Sequence, residues 1–133
     1  MAVVGVGTDV VDVLRVSRLV AQRGRPFVDR WFRPSEVGPS IASAEGSRRV
    51  AALLAVKEAA FKSLAAPHHG PVPWRDIEVL TSPDRPPQLR LHGAIRDLAA
   101  SAGVSTFHVA MATTEQHATA TVVAVAGEGQ ESD

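Results

Sequence analysis

The sequence predicts an α+β fold in which an antiparallel-rich sheet packs on one long helix. A valine-rich run over residues 2–13 is typical of a buried strand, because β-branched side chains favour extended backbone. Residues 47–66 contain neither glycine nor proline and are dominated by alanine, leucine and lysine, which indicates a long helix. Two further apolar runs, 106–112 and 118–125, predict a closing pair of strands.

Shorter elements are expected between these three features. An amphipathic helix with arginines on its outer side should span residues 14–23 and end at Gly24, and a short helix should begin at Pro34. The other predicted elements are, in order, a loop over 67–73, a strand over 74–80, a turn over 82–87, a strand over 88–91 and a helix over 93–102. The chain of 133 residues is one domain by length, with a folded part over 1–126 and a disordered polar tail over 127–133.

The composition excludes several classes of protein. The chain has 14 basic and 14 acidic residues, so its formal charge of zero argues against a protein built to coat nucleic acid or an anionic membrane. It has no cysteine, which excludes disulfides, thiolate metal sites and a cysteine nucleophile, and which suits a cytoplasmic protein. No apolar stretch is long enough to predict a membrane span.

Two acidic residues stand where apolar core residues are expected. Asp9 interrupts the first predicted strand, and Glu58 lies in the long helix. A buried acid needs a compensating charge, and Mg²⁺ takes one or two carboxylates together with water and substrate phosphates. Asp9 and Glu58, with Lys62 nearby, therefore predict a site for magnesium and a diphosphate. Two simpler interpretations stay open: Glu58 and Lys62 have the i, i+4 spacing of a surface ion pair, and Asp9 can cap a neighbouring helix.

The five histidines do not indicate a metal centre. His68 and His69 are adjacent in the proline-containing loop, where solvent exposure is the simpler expectation. His108 and His117 flank the last turn but lack the spacing of a zinc motif. No phosphate-binding glycine loop is found either, because Gly5 and Gly7 are followed by strand and not by helix.

Four segments in register resemble the holo-acyl-carrier-protein synthase group of the 4′-phosphopantetheinyl transferases. The resemblance runs through most of the chain, up to about residue 125. The segments are Gly7-Thr8-Asp9-Val10-Val11-Asp12-Val13 with Arg15, Arg30-Trp31-Phe32-Arg33-Pro34-Ser35-Glu36, Val56-Lys57-Glu58-Ala59 with Lys62, and Trp74-Arg75-Asp76-Ile77-Glu78-Val79.

This resemblance implies a small α+β subunit that assembles as a trimer and moves phosphopantetheine from coenzyme A to a serine of an acyl carrier protein. By position, Asp9 and Glu58 would hold Mg²⁺ and act in catalysis with Lys62. The residues expected to contact coenzyme A are Lys57, Lys62 and Arg49. The residues expected to face the acidic carrier protein are Arg15 and Arg18.

The chain departs from the family pattern at positions that would serve coenzyme A. Leu53 stands where the family helix usually has arginine, and Ala110-Met111-Ala112-Thr113 replaces a Ser-x-Ser-His pattern. The segment Ala65-Ala66-Pro67-His68-His69-Gly70 replaces a glycine-rich one. These changes leave two alternatives beside the transferase: a relative that acts on a carrier-bound intermediate without coenzyme A, with His68 and His69 as further acid–base candidates, and a non-catalytic carrier-binding module.

Overall fold

The N-terminal strand and the last two strands form one antiparallel sheet. In this computed structural model, which describes residues 1–39 and 41–127, the strands are β1 (Ala2–Asp12), β4 (Val104–Thr113) and β5 (His117–Ala126), in the order β1-β5-β4. The register places Asp9 opposite Ala120, and Ala120 opposite Met111. Most of the tail expected over 127–133 lies outside the described residues.

Four α-helices lie within the described residues: α1 (Val13–Arg23), α2 (Arg25–Trp31), α3 (Ala44–Ser63) and α4 (Gly93–Ser101). The Asp12 carboxylate accepts from Leu14 N at 2.9 Å and so begins α1. The Ser43 hydroxyl accepts from Gly46 N at 2.9 Å and begins α3 three residues before the predicted start at Ser47.

The second sheet is a hairpin of β2 (Ile77–Ser82) and β3 (Arg85–Leu91). The predicted strand over 74–80 is wrong in its first half, because residues Trp74–Asp76 form a 3₁₀ turn. The predicted turn over 82–87 is too long, since Arg85 already pairs with Ser82. Pro86 and Pro87 are tolerated because, within the part of the chain that the structure describes, β3 pairs only with β2 and its other edge has no strand partner.

Small residues bring α3 into close contact with β1. A Cβ atom on Gly7 would collide with the carbonyl of Ala59, and one on Gly5 would collide with that of Ser63. Ala51, Ala55 and Ala59 are fully buried on α3 and share the core with valines and alanines of β5. The polar groups of these two elements therefore meet at short range.

The α+β class and the antiparallel pairing are confirmed. The short helix predicted from Pro34 is wrong, because the Glu36 side chain turns back to accept from Arg33 N at 2.9 Å and closes a turn. The long helix ends at Ser63 and not at residue 66, since Ala65 takes a positive φ of 52°. No helix among residues 1–39 and 41–127 has the length and apolarity needed to cross a membrane.

Candidate active site

Asp9 and Lys62 form an ion pair across the contact between β1 and α3. Lys62 Nζ lies 2.9 Å from Asp9 Oδ1 and also donates to the Thr8 carbonyl at 3.2 Å. The Asp9 side chain is 13% exposed and that of Lys62 is 55% exposed. Within the described residues, the ion-pair partner of Lys62 is therefore Asp9, a strand residue. The simple surface-pair interpretation requires Glu58 as that partner, and so it is not met. The Asp12 side chain, and not that of Asp9, caps α1.

Glu58 lies one helical turn before Lys62 and faces Asp9. Its pKa is raised to about 7, first by burial and then by the hydrogen bond and the like charge of Asp9, while Lys62 and Arg15 act in the opposite direction. The pKa of Asp9 is lowered: burial alone would raise it, but the hydrogen bonds from Glu58 and Lys62 outweigh burial. The two carboxyls thus titrate as a pair, with the last proton on Glu58 near neutral pH.

The second carboxylate oxygen of Asp9, Oδ2, is suited to a cation. Asp9 Oδ2 is buried and, when both carboxyls are ionised, has no hydrogen-bond donor among the described residues. Mg²⁺ accepts such a pair of carboxylate oxygens from separate elements and completes its shell with water and phosphate oxygens. No group of three or more acidic or histidine ligands occurs in the described ranges. Asp9 and Glu58 thus supply two of the carboxylate ligands that Mg²⁺ takes, and its other ligands would be water and phosphate oxygens.

A cavity of about 290 Å³ opens beside Glu58 between α1 and α2. Its walls are mostly apolar and include Leu19, Phe27 and Leu54, and Arg15 contributes a cation. Arg15 and Arg18 are both exposed on α1. The structure thus brings one of the two expected carrier-binding arginines next to the acidic pair.

The structure places Lys57 away from any surface that could bind coenzyme A. Its side chain is 0% exposed, and its ammonium donates to Glu36 Oε1 and to the carbonyls of Trp74 and Ile77. The buried position of Lys57 disagrees with the expectation that it contacts coenzyme A. Lys57 directly precedes Glu58 and therefore projects from α3 at a different angle. It reaches Glu36 and the segment 74–77 and not Asp9.

Arg49 also makes hydrogen bonds within the protein, although it is exposed at the surface. Its Nη2 donates to the Glu36 carbonyl at 3.0 Å and to Thr81 Oγ1 at 3.1 Å. Arg49 and Arg48 line a cavity of about 240 Å³ together with Leu53 and Thr113. The Arg48 side chain is partly buried and makes no hydrogen bond or ion pair with the rest of the described chain.

Sequence analysis assigned no role to Glu36 or Glu78, which are both buried. Glu78 accepts from Ser35 Oγ at 2.8 Å and lies 2.9 Å from His92 Nε2. A lysine on the otherwise apolar face of a long helix is the signal that could have indicated a buried acid partner such as Glu36. His68 contacts the carbonyl of Pro71 at 3.0 Å and the Phe61 ring edge, and His69 is exposed.

Comparison with known proteins gives the same family as the four segments. The sequence model of the 4′-phosphopantetheinyl transferase superfamily matches residues 5–122. The holo-acyl-carrier-protein synthase of Rhodopirellula baltica is 33% identical over 123 residues, covering 92% of this chain and 98% of that protein. The one from Photobacterium profundum is 36% identical with the same coverage.

Solved structures agree with this match. The holo-acyl-carrier-protein synthase of Neisseria meningitidis superposes with a TM-score of 0.80 at 27% identity, covering 93% of this chain and 99% of that one. Because the family match spans most of the chain and the relatives exceed 30% identity over nearly their whole length, the chain belongs to the 4′-phosphopantetheinyl transferase superfamily.

Proposed function

We propose that this protein transfers 4′-phosphopantetheine from coenzyme A to a serine of an acyl carrier protein and requires Mg²⁺ for this reaction. The observation that carries the proposal is the partly buried Asp9–Glu58 pair, whose raised Glu58 pKa and unpartnered Asp9 Oδ2 suit a cation shared with a diphosphate. The names of the relatives, which are holo-acyl-carrier-protein synthases, support the same reaction.

In this reaction the serine hydroxyl oxygen attacks the phosphorus that carries pantetheine and releases its proton to solvent, while the phosphoanhydride bond breaks and adenosine 3′,5′-bisphosphate leaves. Magnesium at Asp9 and Glu58 would neutralise charge on the diphosphate. Lys62 is bonded to Asp9, is half exposed, and is placed to contact the same phosphates and assist proton transfer. Arg15 and Arg18 present a basic surface beside the site to the acidic carrier protein.

Arg48 is the best candidate for the cation that Leu53 does not supply. Three arginines are partly buried among the described residues, and two of them have a carboxylate: Arg25 with Asp29 and Arg33 with Asp76. Arg48 has none, and it lines both the cavity at Leu53 and a larger one of about 520 Å³. A phosphate is the natural partner of such a guanidinium, so we assign Arg48 to the ribose 3′-phosphate of coenzyme A.

A trimer remains part of the proposal. The helices cover one face of the β1-β5-β4 sheet, while Val6 and Val10 on β1 are 59% and 64% exposed. Exposed apolar side chains on a sheet face are typical of a protein–protein interface, and we expect further copies of the chain to cover these valines. A cytoplasmic location also stays a prediction.

The test is a transfer assay read by mass spectrometry. Purified protein with Mg²⁺ and coenzyme A should add one phosphopantetheine to an apo carrier protein, and Asp9→Asn or Glu58→Gln should abolish the addition. Gly38→Ala, at a position with open space, is the control and should transfer normally. Absence of any mass gain across a panel of fatty-acid and polyketide carrier proteins would contradict the proposal.

The alternative, a relative that acts on a carrier-bound intermediate without coenzyme A, is favoured by one observation. Leu53 is 1% exposed, so the position where the family usually has arginine is filled by an apolar side chain. Calorimetry separates the two functions. Binding of coenzyme A supports the transferase, whereas binding of holo carrier protein without binding of coenzyme A supports the alternative.

A further inference from the structure

The buried ion pair of Lys57 and Glu36 joins three parts of the molecule. Lys57 Nζ lies 3.0 Å from both carboxylate oxygens of Glu36, and both side chains are 0% exposed. The same ammonium donates to the carbonyls of Trp74 and Ile77, so its three N–H groups each have an acceptor. Lys57 thus links α3 to the turn that contains Glu36 and to the segment 74–77, where β2 begins.

Glu36 is equally well satisfied. Oε1 accepts from Arg33 N at 2.9 Å, and Oε2 accepts from Val79 N at 3.1 Å. The Phe32 ring centroid lies 4.9 Å from Lys57 Nζ and closes the remaining side. Burial lowers the pKa of Lys57, and the charge of Glu36 opposes this shift.

A pair of this kind gives little net stability, because desolvation of two charges offsets most of their attraction. Its better-attested effect is to fix one arrangement among several that apolar packing would allow. Val50, Leu53, Leu54 and Val56 of α3 pack in the core, but the contact with β1 beside Glu58 is made by small residues, which include Ala59, Gly5 and Gly7. Such a smooth contact does not by itself define how far the helix is rotated about its axis.

The rotation of α3 determines where Glu58 points. Lys57 and Glu58 are neighbours and therefore project about 100° apart around the helix. At roughly 6 Å from the axis, a rotation of about 20° would move the Glu58 carboxyl by about 2 Å, which exceeds the tolerance of about 0.5 Å for a working site. With Lys57 held on Glu36 on one side of α3, Glu58 is held against Asp9 on another.

We propose that Glu36 and Lys57 are positioning residues that fix the rotation of α3 and so hold Glu58 at the distance from Asp9 that a shared Mg²⁺ requires. This inference rests on the proposed function for its metal. It assigns no contact with substrate to either residue. The pair acts through Glu58 alone.

Glu36→Gln is the first test, because it removes the charge with almost no change of shape. Glu36→Gln/Lys57→Gln is the second, and it replaces the ion pair by two neutral amides. In both variants the Mg²⁺ concentration for half-maximal transfer should rise about tenfold or more, as it does when residues that orient metal ligands are changed. The KM for the carrier protein should not change, because Arg15 and Arg18 lie on α1.

Glu78→Gln is the matched control. Glu78 is also a buried carboxylate, but its direct partners are Ser35, His92 and Arg90 and not α3, and its charge is the weakest of those that act on Lys57. Its variant should lower the thermal midpoint without changing the Mg²⁺ requirement. A purely structural role for Glu36 predicts the same behaviour for Glu36→Gln, and that result overturns the proposal.

The experiments distinguish a failure of the positioning role from a failure of the proposed function. If the wild type transfers phosphopantetheine and Glu36→Gln keeps the wild-type Mg²⁺ requirement, the positioning role is wrong and the function stands. If the wild type transfers nothing, a crystal structure of the double variant decides. Displacement of Glu58 from Asp9 supports the positioning role, and an unchanged Asp9–Glu58 contact overturns it.

Discussion

Asp9 and Glu58 face each other where α3 crosses β1, and burial, with the hydrogen bond and like charge of Asp9, raises the pKa of Glu58 to about 7, while Asp9 Oδ2 is buried with no hydrogen-bond partner among the described residues. Lys62 bonds Asp9 Oδ1 and not Oδ2, so Glu58 is the group whose proton can be exchanged for a cation at this site. The protein without metal therefore holds one proton where the bound form would hold a cation. Both the pH dependence of stability and that of metal binding follow from this exchange.

In metal-free buffer, stability should fall as the pH rises through about 7. The folded pKa of Glu58, about 7, lies above its unfolded value of 4.5, so the folded state binds this proton more tightly. The resulting stabilisation is complete below the unfolded pKa and is lost as the pH rises through the folded one. The thermal midpoint should decrease between about pH 5 and about pH 8.

Glu58→Gln, which is always neutral, should remove this part of the decrease. The lowered pKa of Asp9 acts in the opposite direction and at lower pH, where stability is lost as the pH falls, so it does not affect this window. An identical slope in the wild type and in Glu58→Gln would show that Glu58 holds no such proton.

Magnesium should bind more weakly below about pH 7, because it must displace the proton on Glu58. The apparent dissociation constant should rise by up to about tenfold for each pH unit below that value. Calorimetry with the protein and adenosine 3′,5′-bisphosphate at three pH values measures this directly. Asp9→Asn is the reference for lost binding, and an affinity independent of pH would contradict the carboxyl pair as the ligand.

Gly7→Ala should destabilise the fold strongly. A Cβ atom at this position would overlap the Ala59 carbonyl, so β1 and α3 would have to separate and the acidic pair with them. Overpacking of this kind costs about 1–3 kcal/mol or more. Denaturant unfolding of Gly7→Ala, compared with Gly38→Ala, measures the effect. Equal stability of the two variants would mean that the contact is not tight.

The fold was predictable where a single local signal determines it. Valine-rich β1 and proline-free α3 followed from composition. The turn at Glu36 was not predictable in the same way. Its conformation depends on Lys57, which is 21 residues away in the chain and buried with it.

The site was predictable to a similar extent. Asp9 and Glu58 are conspicuous because acids are rare in such surroundings, and the structure brings them together. The burial of Lys57 was not predictable, because the sequence shows its charge and not the direction in which it projects. The direction depends on the rotation of α3, which only tertiary packing determines.

Charge reversal on α1 should weaken the encounter with the carrier protein. Arg15→Glu/Arg18→Glu removes two exposed cations beside the cavity at Glu58 and adds two acids. The KM for the carrier should rise by about tenfold or more at low salt, and the difference from the wild type should shrink as salt screens the charges. Arg85→Glu, at an exposed position of β3, is the matched control and should change neither quantity. An effect of equal size in that control would indicate a general charge effect in place of a docking surface.

Arg48→Gln should impair the use of coenzyme A but not of dephospho-coenzyme A, which lacks the ribose 3′-phosphate. Loss of one charge-assisted contact should raise the KM for coenzyme A by about 10- to 100-fold. The KM for the dephosphorylated substrate should stay at the wild-type value, because Arg48 makes no hydrogen bond or ion pair within residues 1–39 and 41–127 whose loss could disturb the fold. Arg85→Gln serves as the control for both substrates. Equal losses on both substrates would mean that Arg48 does not bind this phosphate, and unchanged constants would mean that another residue replaces the arginine missing at Leu53.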